Sequence, residues 1–176
     1  MKRKRTSGKW IIAAASIGIA TAAWAQAPND AQIAAIVVTA NQVDIEAGKL
    51  AQSKATNPEV KAYGAMMVTD HTGVNKQASD LVTKLGVKPE DNPTAQSLKS
   101  GGADNLKNLK SLSGAAFDKA YIDHEVEYHQ AVLDALDKTL IPSAQNAELK
   151  ALLVKVRPAF MAHLEKAKQI QASLGK

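Results

Sequence analysis

The sequence contains no cysteine. That excludes disulfides, thiolate metal ligands, a cysteine nucleophile and the acylated cysteine of a lipoprotein anchor. Aromatic residues make up only 4% of the chain and no β-branched alternating run occurs, so sheet-forming material is scarce. The longest apolar run, Trp10 to Ala23, is about 14 residues, short of the roughly 20 a bilayer-spanning helix needs. The glycine, histidine and serine motifs of hydrolases, P-loops and dinucleotide folds are absent as well. Nothing in the residues indicates an enzyme.

The first 25 residues differ from the rest. Lys2, Arg3, Lys4, Arg5 and Lys9 form a basic stretch without an acid, followed by the apolar run and then by Ala23-Trp24-Ala25. Small residues at those positions suit a signal peptidase, so residues 1–25 read as a cleaved secretory signal. Cleavage after Ala27 fits nearly as well. The expectation is a periplasmic protein, or a secreted one in a single-membrane organism, without stable membrane insertion. The full chain has 22 basic and 17 acidic residues. Removing the five leader bases leaves 17 against 17, so the mature part carries no net charge. A nucleic-acid partner is therefore not expected. A protein partner or homo-oligomer is left open.

What is present is helix-forming material, rich in Ala, Leu, Lys and Gln. Its punctuation predicts an all-α antiparallel four-helix bundle over residues 29–174. The first helix runs from about Asp30 to Ala55. The second starts at Asn57-Pro58-Glu59, with a cap, a Pro at the first helical position and an acid in the first turn, and ends before Gly86. The third runs from about Ser113 to Leu140 and stops before Pro142. The fourth runs from about Ala144 to Leu174, with a kink expected at Pro158. Between the second and third lies a long, partly helical link, Val87 to Leu112, with a second Asn-Pro start at Asn92 and a break at Gly101-Gly102. Such a link either crosses the bundle end to end, as in ferritin-like folds, or caps one end.

Helical periodicity places several polar residues on inward faces. His71 falls between Met67 and Val74, and His163 lies near the centre of the last stripe. Glu125 and His129 lie one turn apart beside Tyr121 and Tyr128. His124 sits at the edge of that face. In the first helix Glu46 lies on one flank of the stripe and Asp44 on the other. With a rise of about 1.5 Å per residue, Glu46 and His71 lie roughly level, as do Glu125 and His163. The expected site is one mid-bundle layer of Glu46, His71, Glu125, His129 and His163. Imidazole and carboxylate ligands suit iron, manganese, zinc or copper. The alternative is a metal-free hydrogen-bond network, Glu125 with His163 and His71 with Glu46, that fixes helix register. Met66, Met67 and Met161, and the three tyrosines, read as packing.

Several segments resemble a known family. They are Glu46-Ala-Gly-Lys-Leu-Ala51, Asn57-Pro-Glu-Val-Lys61, Met67-Val-Thr-Asp70-His71 with Asn75, Ser113-Gly-Ala-Ala-Phe117-Asp-Lys-Ala-Tyr121 with His129, and His163-Leu164. Together they look like the bacterial exported proteins grouped as a ferritin-like domain of unknown function, often labelled periplasmic or outer-membrane. The resemblance implies a ferritin-like bundle over nearly all the mature chain, with Glu46, His71, His129 and His163 at its motif positions. The paired Glu-x-x-His motifs of di-iron bundles are absent.

Overall fold

Four asparagines start four of the five long helices. Asn29, Asn57, Asn92 and Asn146 each accept backbone N–H bonds two or three residues ahead, and Asn29 forms a reciprocal capping box with Gln32. The computed structural model describes residues 27–175, so the expected leader lies outside the described residues. Among the described residues all regular structure is helical. α1 spans Asp30–Lys54, α2 Pro58–Leu85, α3 Pro93–Ser111 and α4 Gly114–Ala135. α4 continues through a π-helical turn, Leu136–Leu140, and one α-turn, Ile141–Ser143. α5 spans Ala147–Leu174. Its cap is Asn146, two residues beyond the expected start.

The link crosses the bundle. Near its start, Glu90 N–H bonds the Ala31 carbonyl and Asn92 bonds the Gln32 carbonyl, at the beginning of α1. At its far end, Lys54 of α1 reaches the carbonyls of Leu109 and Lys110. α3 therefore runs the length of α1, parallel to it. α4 then returns antiparallel to α1, and α5 antiparallel to α4. This is a ferritin-like four-helix bundle of α1, α2, α4 and α5, with α3 as the crossover.

Both tight turns are tied by a carboxylate from another helix. Asp118 accepts from the backbone N–H groups of Thr56 and Asn57, and Asp30 does the same for Gln145 and Asn146. Two close approaches bring helices together. A Cβ on Gly64 would lie 2.8 Å from Ala51 Cβ and 2.9 Å from the Gly48 carbonyl, so α1 and α2 meet backbone to backbone. A Cβ on Gly102 would lie 2.8 Å from Val43 Cγ2. The Gly101-Gly102 pair is thus no break: α3 passes through it, and the missing side chain lets α3 settle on α1.

Pro142 also behaves differently from expectation. The third bundle helix does not stop before Pro142. Pro142 has no N–H for the Lys138 carbonyl and its ring crowds it, and just ahead the helix widens, with Ile141 N–H bonding back to the Leu136 carbonyl. α5 continues uninterrupted through Pro158, which faces solvent. The Val154 carbonyl that Pro158 leaves without a donor belongs to an exposed residue, within reach of water.

The apolar core comes in two parts. One gathers Ile33, Ile36, Leu136, Leu140, Leu153 and Phe160; the other gathers Val60, Tyr63, Met67, Leu109, Phe117 and Tyr121. A polar layer separates them at mid-height: Asn41, Asp44, His71, Glu125, His129 and His163, all buried.

Candidate metal centre

That layer is built from four helices. α1 supplies Asn41 and Asp44, one turn apart. α2 supplies His71, α4 supplies Glu125 and His129, and α5 supplies His163. The imidazole rings of His71, His129 and His163 form a near-equilateral triangle, with centroids 5.2–5.6 Å apart. One donor atom from each of the three lies within 4.8 Å of the others, and Asp44, Glu125 and His129 form a second such group. Phe160 stacks on His71 at 5.1 Å and closes the layer on one side.

Each histidine has one nitrogen fixed and one left over. Asn41 donates its amide to the Val37 carbonyl, which orients its Oδ1 to accept from His71 Nδ1 at 2.7 Å. His129 Nδ1 donates to the Glu125 carbonyl at 3.1 Å. His163 Nε2 donates to Asp70 Oδ2 at 2.9 Å. These bonds set the tautomers. What remains is a lone pair on His71 Nε2, His129 Nε2 and His163 Nδ1, and all three are buried without a protein partner. Leaving a buried polar atom unpaired costs about 1–3 kcal/mol, so three such atoms at one place call for a bound ion, ligand or water to satisfy them. Imidazoles held from behind by an amide, a carbonyl and a carboxylate are also how metal-binding histidines are oriented.

The electrostatics fit the same reading. Burial, and after it the neighbouring imidazoles, pushes His71 down to about 2 and His129 to about 3. Burial lowers His163 too, partly opposed by Asp70. The three rings are therefore neutral near pH 7, the form that ligates metal. Asp44 and Glu125 move the other way. Burial raises both well above ordinary carboxylate values; at Glu125 the nearby Asp44 charge adds to it, while at Asp44 the adjacent Glu125 partly opposes it. Asp44 and Glu125 face each other, with Tyr121 beside Glu125, so a proton held by either carboxyl has the other as its acceptor.

His71, Glu125, His129 and His163 meet in this layer, as their inward positions suggested. Glu46 does not. It is exposed and bonds only Gln42, one turn back. Asp44, the opposite flank of the same helix, takes the inward place and lies 3.5 Å from His71 Nε2. The expected network pairs are not formed either: His71 is held by Asn41 rather than Glu46, and His163 by Asp70 rather than Glu125. Asn41 and Asp70 were missed. For Asp70 the signal was its position beside His71 in the quoted motif. His124 stays at the edge, stacked on Tyr128.

The family model for a domain of unknown function (DUF4142) matches residues 18–170, spanning nearly all of this helical chain. The chain belongs to that family. The fold of this DUF4142 chain is also similar to the solved structure of CopM in the Cu(II)-bound form. The TM-score is 0.64 at 15% sequence identity, covering 84% of this chain and 99% of that one. At that identity the likeness is one of fold. No curated protein sequence matches. Among the described residues, no helix is long and apolar enough to cross a membrane.

Proposed function

We propose that this is an exported helical-bundle protein that handles metal by holding one copper ion in the mid-bundle layer. His71, His129 and His163 are the nitrogen ligands in this reading, with Asp44 and Glu125 as the carboxylates beside them. One observation carries it: three buried imidazoles from three helices, each anchored at its back and each with an unpartnered nitrogen. A metal-free network leaves those atoms unsatisfied and is the weaker reading.

Copper is favoured over the other ions on two grounds. Among divalent first-row metals, nitrogen and oxygen sites bind copper most strongly. A protein of the same fold is solved with Cu(II) bound. Charge balance favours a single ion. A divalent cation beside two ionised carboxylates and three neutral imidazoles is neutral overall, whereas a second cation would leave excess charge in a buried layer. Because Asp44 and Glu125 hold protons more tightly than usual, taking up the ion displaces protons and affinity rises with pH. Export rests on the leader sequence alone.

The test is metal content by mass spectrometry on untagged protein extracted from the periplasm without chelator, followed by Cu(II) titration. The expected result is one copper per chain, lost in the His71→Ala/His163→Ala double variant. Metal-free protein that also takes up no added copper, zinc, iron or manganese would overturn the reading. Recovery of the leader-bearing chain from the cytoplasm would remove the export part.

A further inference from the structure

A cavity of about 210 Å³ lies beside the polar layer, in the half of the core that contains the start of α1. Most of its wall is aliphatic, including Ile36, Leu136, Leu140 and Leu153, and Phe160 adds one aromatic face. The π-helical turn of α4 contributes Leu136 and Leu140. Such turns recur where a helix is reshaped around a site. Three lining residues are polar: Asp44, His71 and His129 carry unpartnered atoms that lie just behind the cavity wall and open almost no surface to it. The way in lies along the seam between α3 and α4, where exposed Thr94 of α3 faces exposed Ala131 and Ala135 of α4. α3 settles on α1 at Gly102 and leaves this seam loosely closed.

Size and lining together define the occupant. An apolar cavity of about 150 Å³ stays dry and accepts benzene, so this one has room for a ring with a short substituent. Its unpartnered imidazole nitrogens are hydrogen-bond acceptors. We propose that the cavity binds a small, mainly apolar molecule, roughly the size of a substituted benzene, whose single O–H or N–H donor reaches the imidazole nitrogens behind the wall by a small shift of the rings. The proposal goes beyond metal binding and does not depend on it, because cavity and acceptors belong to the chain itself.

Metal-free full-length protein, titrated with p-cresol and with toluene, tests it by the shift in melting temperature. Both compounds are expected to stabilise the protein, with p-cresol binding about tenfold more tightly because it satisfies a buried acceptor. Leu136→Trp fills the cavity and is expected to abolish both effects while keeping the helical circular dichroism. Should that variant fail to fold, Ala131→Trp at the exposed mouth carries the same expectation. No stabilisation by either compound, equal affinity for the two, or unchanged binding in the tryptophan variants would overturn the proposal. Copper uptake retained by the Ala131→Trp chain shows that blocking the cavity leaves the imidazole nitrogens intact, so its lost p-cresol binding is attributed to the cavity. A chain that binds p-cresol but no copper would sink the metal reading and leave this one standing.

Discussion

Glu125 is fully buried beside Asp44 and Tyr121, and is held in its protonated form by burial and by Asp44. A carboxyl whose folded pKa is raised favours the folded state less and less as pH climbs above its ordinary value near 4.5, because the unfolded chain releases the proton more readily. Gln mimics the protonated form and has no proton to lose. Glu125→Gln should therefore gain stability relative to the native chain as pH rises, by at most about 1.4 kcal/mol per pH unit. Chemical denaturation of metal-free protein at pH 5 and pH 8 checks this, and a gap that does not widen would contradict it. The same variant should bind copper less tightly at pH 8, since a neutral amide replaces the ionised carboxylate. Asp70 acts on the site from outside. Asp70→Ala leaves His163 without its Nε2 acceptor, and losing the group that holds a ligand histidine from behind typically weakens metal affinity by about 10–100-fold. Competition with a chromophoric chelator reads that change, which should come with little loss of helical signal because the Asp70 side chain is partly exposed. At this scale the histidines were legible and the carboxylate of α1 was not. His71, His129 and His163 sit in the middle of clear apolar stripes. Asp44 and Glu46 flank an ambiguous one, because α1 is covered by α2, α3 and α4 and buries residues around most of its circumference, with Gln42, Glu46, Lys49, Gln52 and Ser53 left to solvent.

The helices are set by short-range chemistry and joined by a few close contacts. The caps at Asn29, Asn57 and Asn92, Gly86 with φ of 64° at the end of α2, and the Asn-Pro starts of α2 and α3 were readable in advance, because capping needs only neighbours in sequence. The glycines were not. Gly48 and Gly64 look like ordinary helix residues until α1 and α2 are packed, and Gly102 looks like a breaker until Val43 is found against it. Gly64→Val should force α1 and α2 apart and cost about 1–3 kcal/mol or more, seen as a lower melting temperature with secondary structure retained below the transition. Gly73, whose Cβ would meet nothing within 4 Å, is the control: Gly73→Ala should be neutral or stabilising, by up to about 1 kcal/mol. Asp118→Ala should destabilise by about 1–3 kcal/mol, because the N–H groups of Thr56 and Asn57 lose their acceptor at the α1–α2 turn. Equal melting temperatures for Asp118→Ala and the native chain would show that water replaces the carboxylate there.

As a whole, the molecule places a costly polar layer between two apolar clusters. A ligand that binds only the folded state stabilises it by mass action, about 2.7 kcal/mol at a free concentration one hundred times Kd. Saturating Cu(II) should therefore raise the melting temperature at pH 7.5, and the rise should shrink towards pH 5 as protons compete for Asp44 and Glu125. Acid acts on the metal-free bundle through the histidines. His71 and His129 have folded values far below 6.5, so the stability they confer as neutral groups is complete above that pH and is lost progressively as pH falls below it. His71→Phe, which packs without a proton site, should weaken that acid dependence. An unchanged slope below pH 6.5 would mean that other groups govern it.

The sequence by itself determined the class of the fold, the positions of most helix starts, the inward direction of three histidines and Glu125, and the absence of thiol chemistry. Each of these follows from periodicity, capping or composition, which are local properties of the chain. The tertiary structure decided whether the link crosses or caps, which carboxylate of α1 enters the polar layer, which nitrogens stay unpartnered, and that a cavity opens beside them. Those outcomes depend on how α3 lies along α1 and how α4 widens ahead of Pro142. A helical period gives the direction of a side chain on its own helix, and only packing gives what that direction meets.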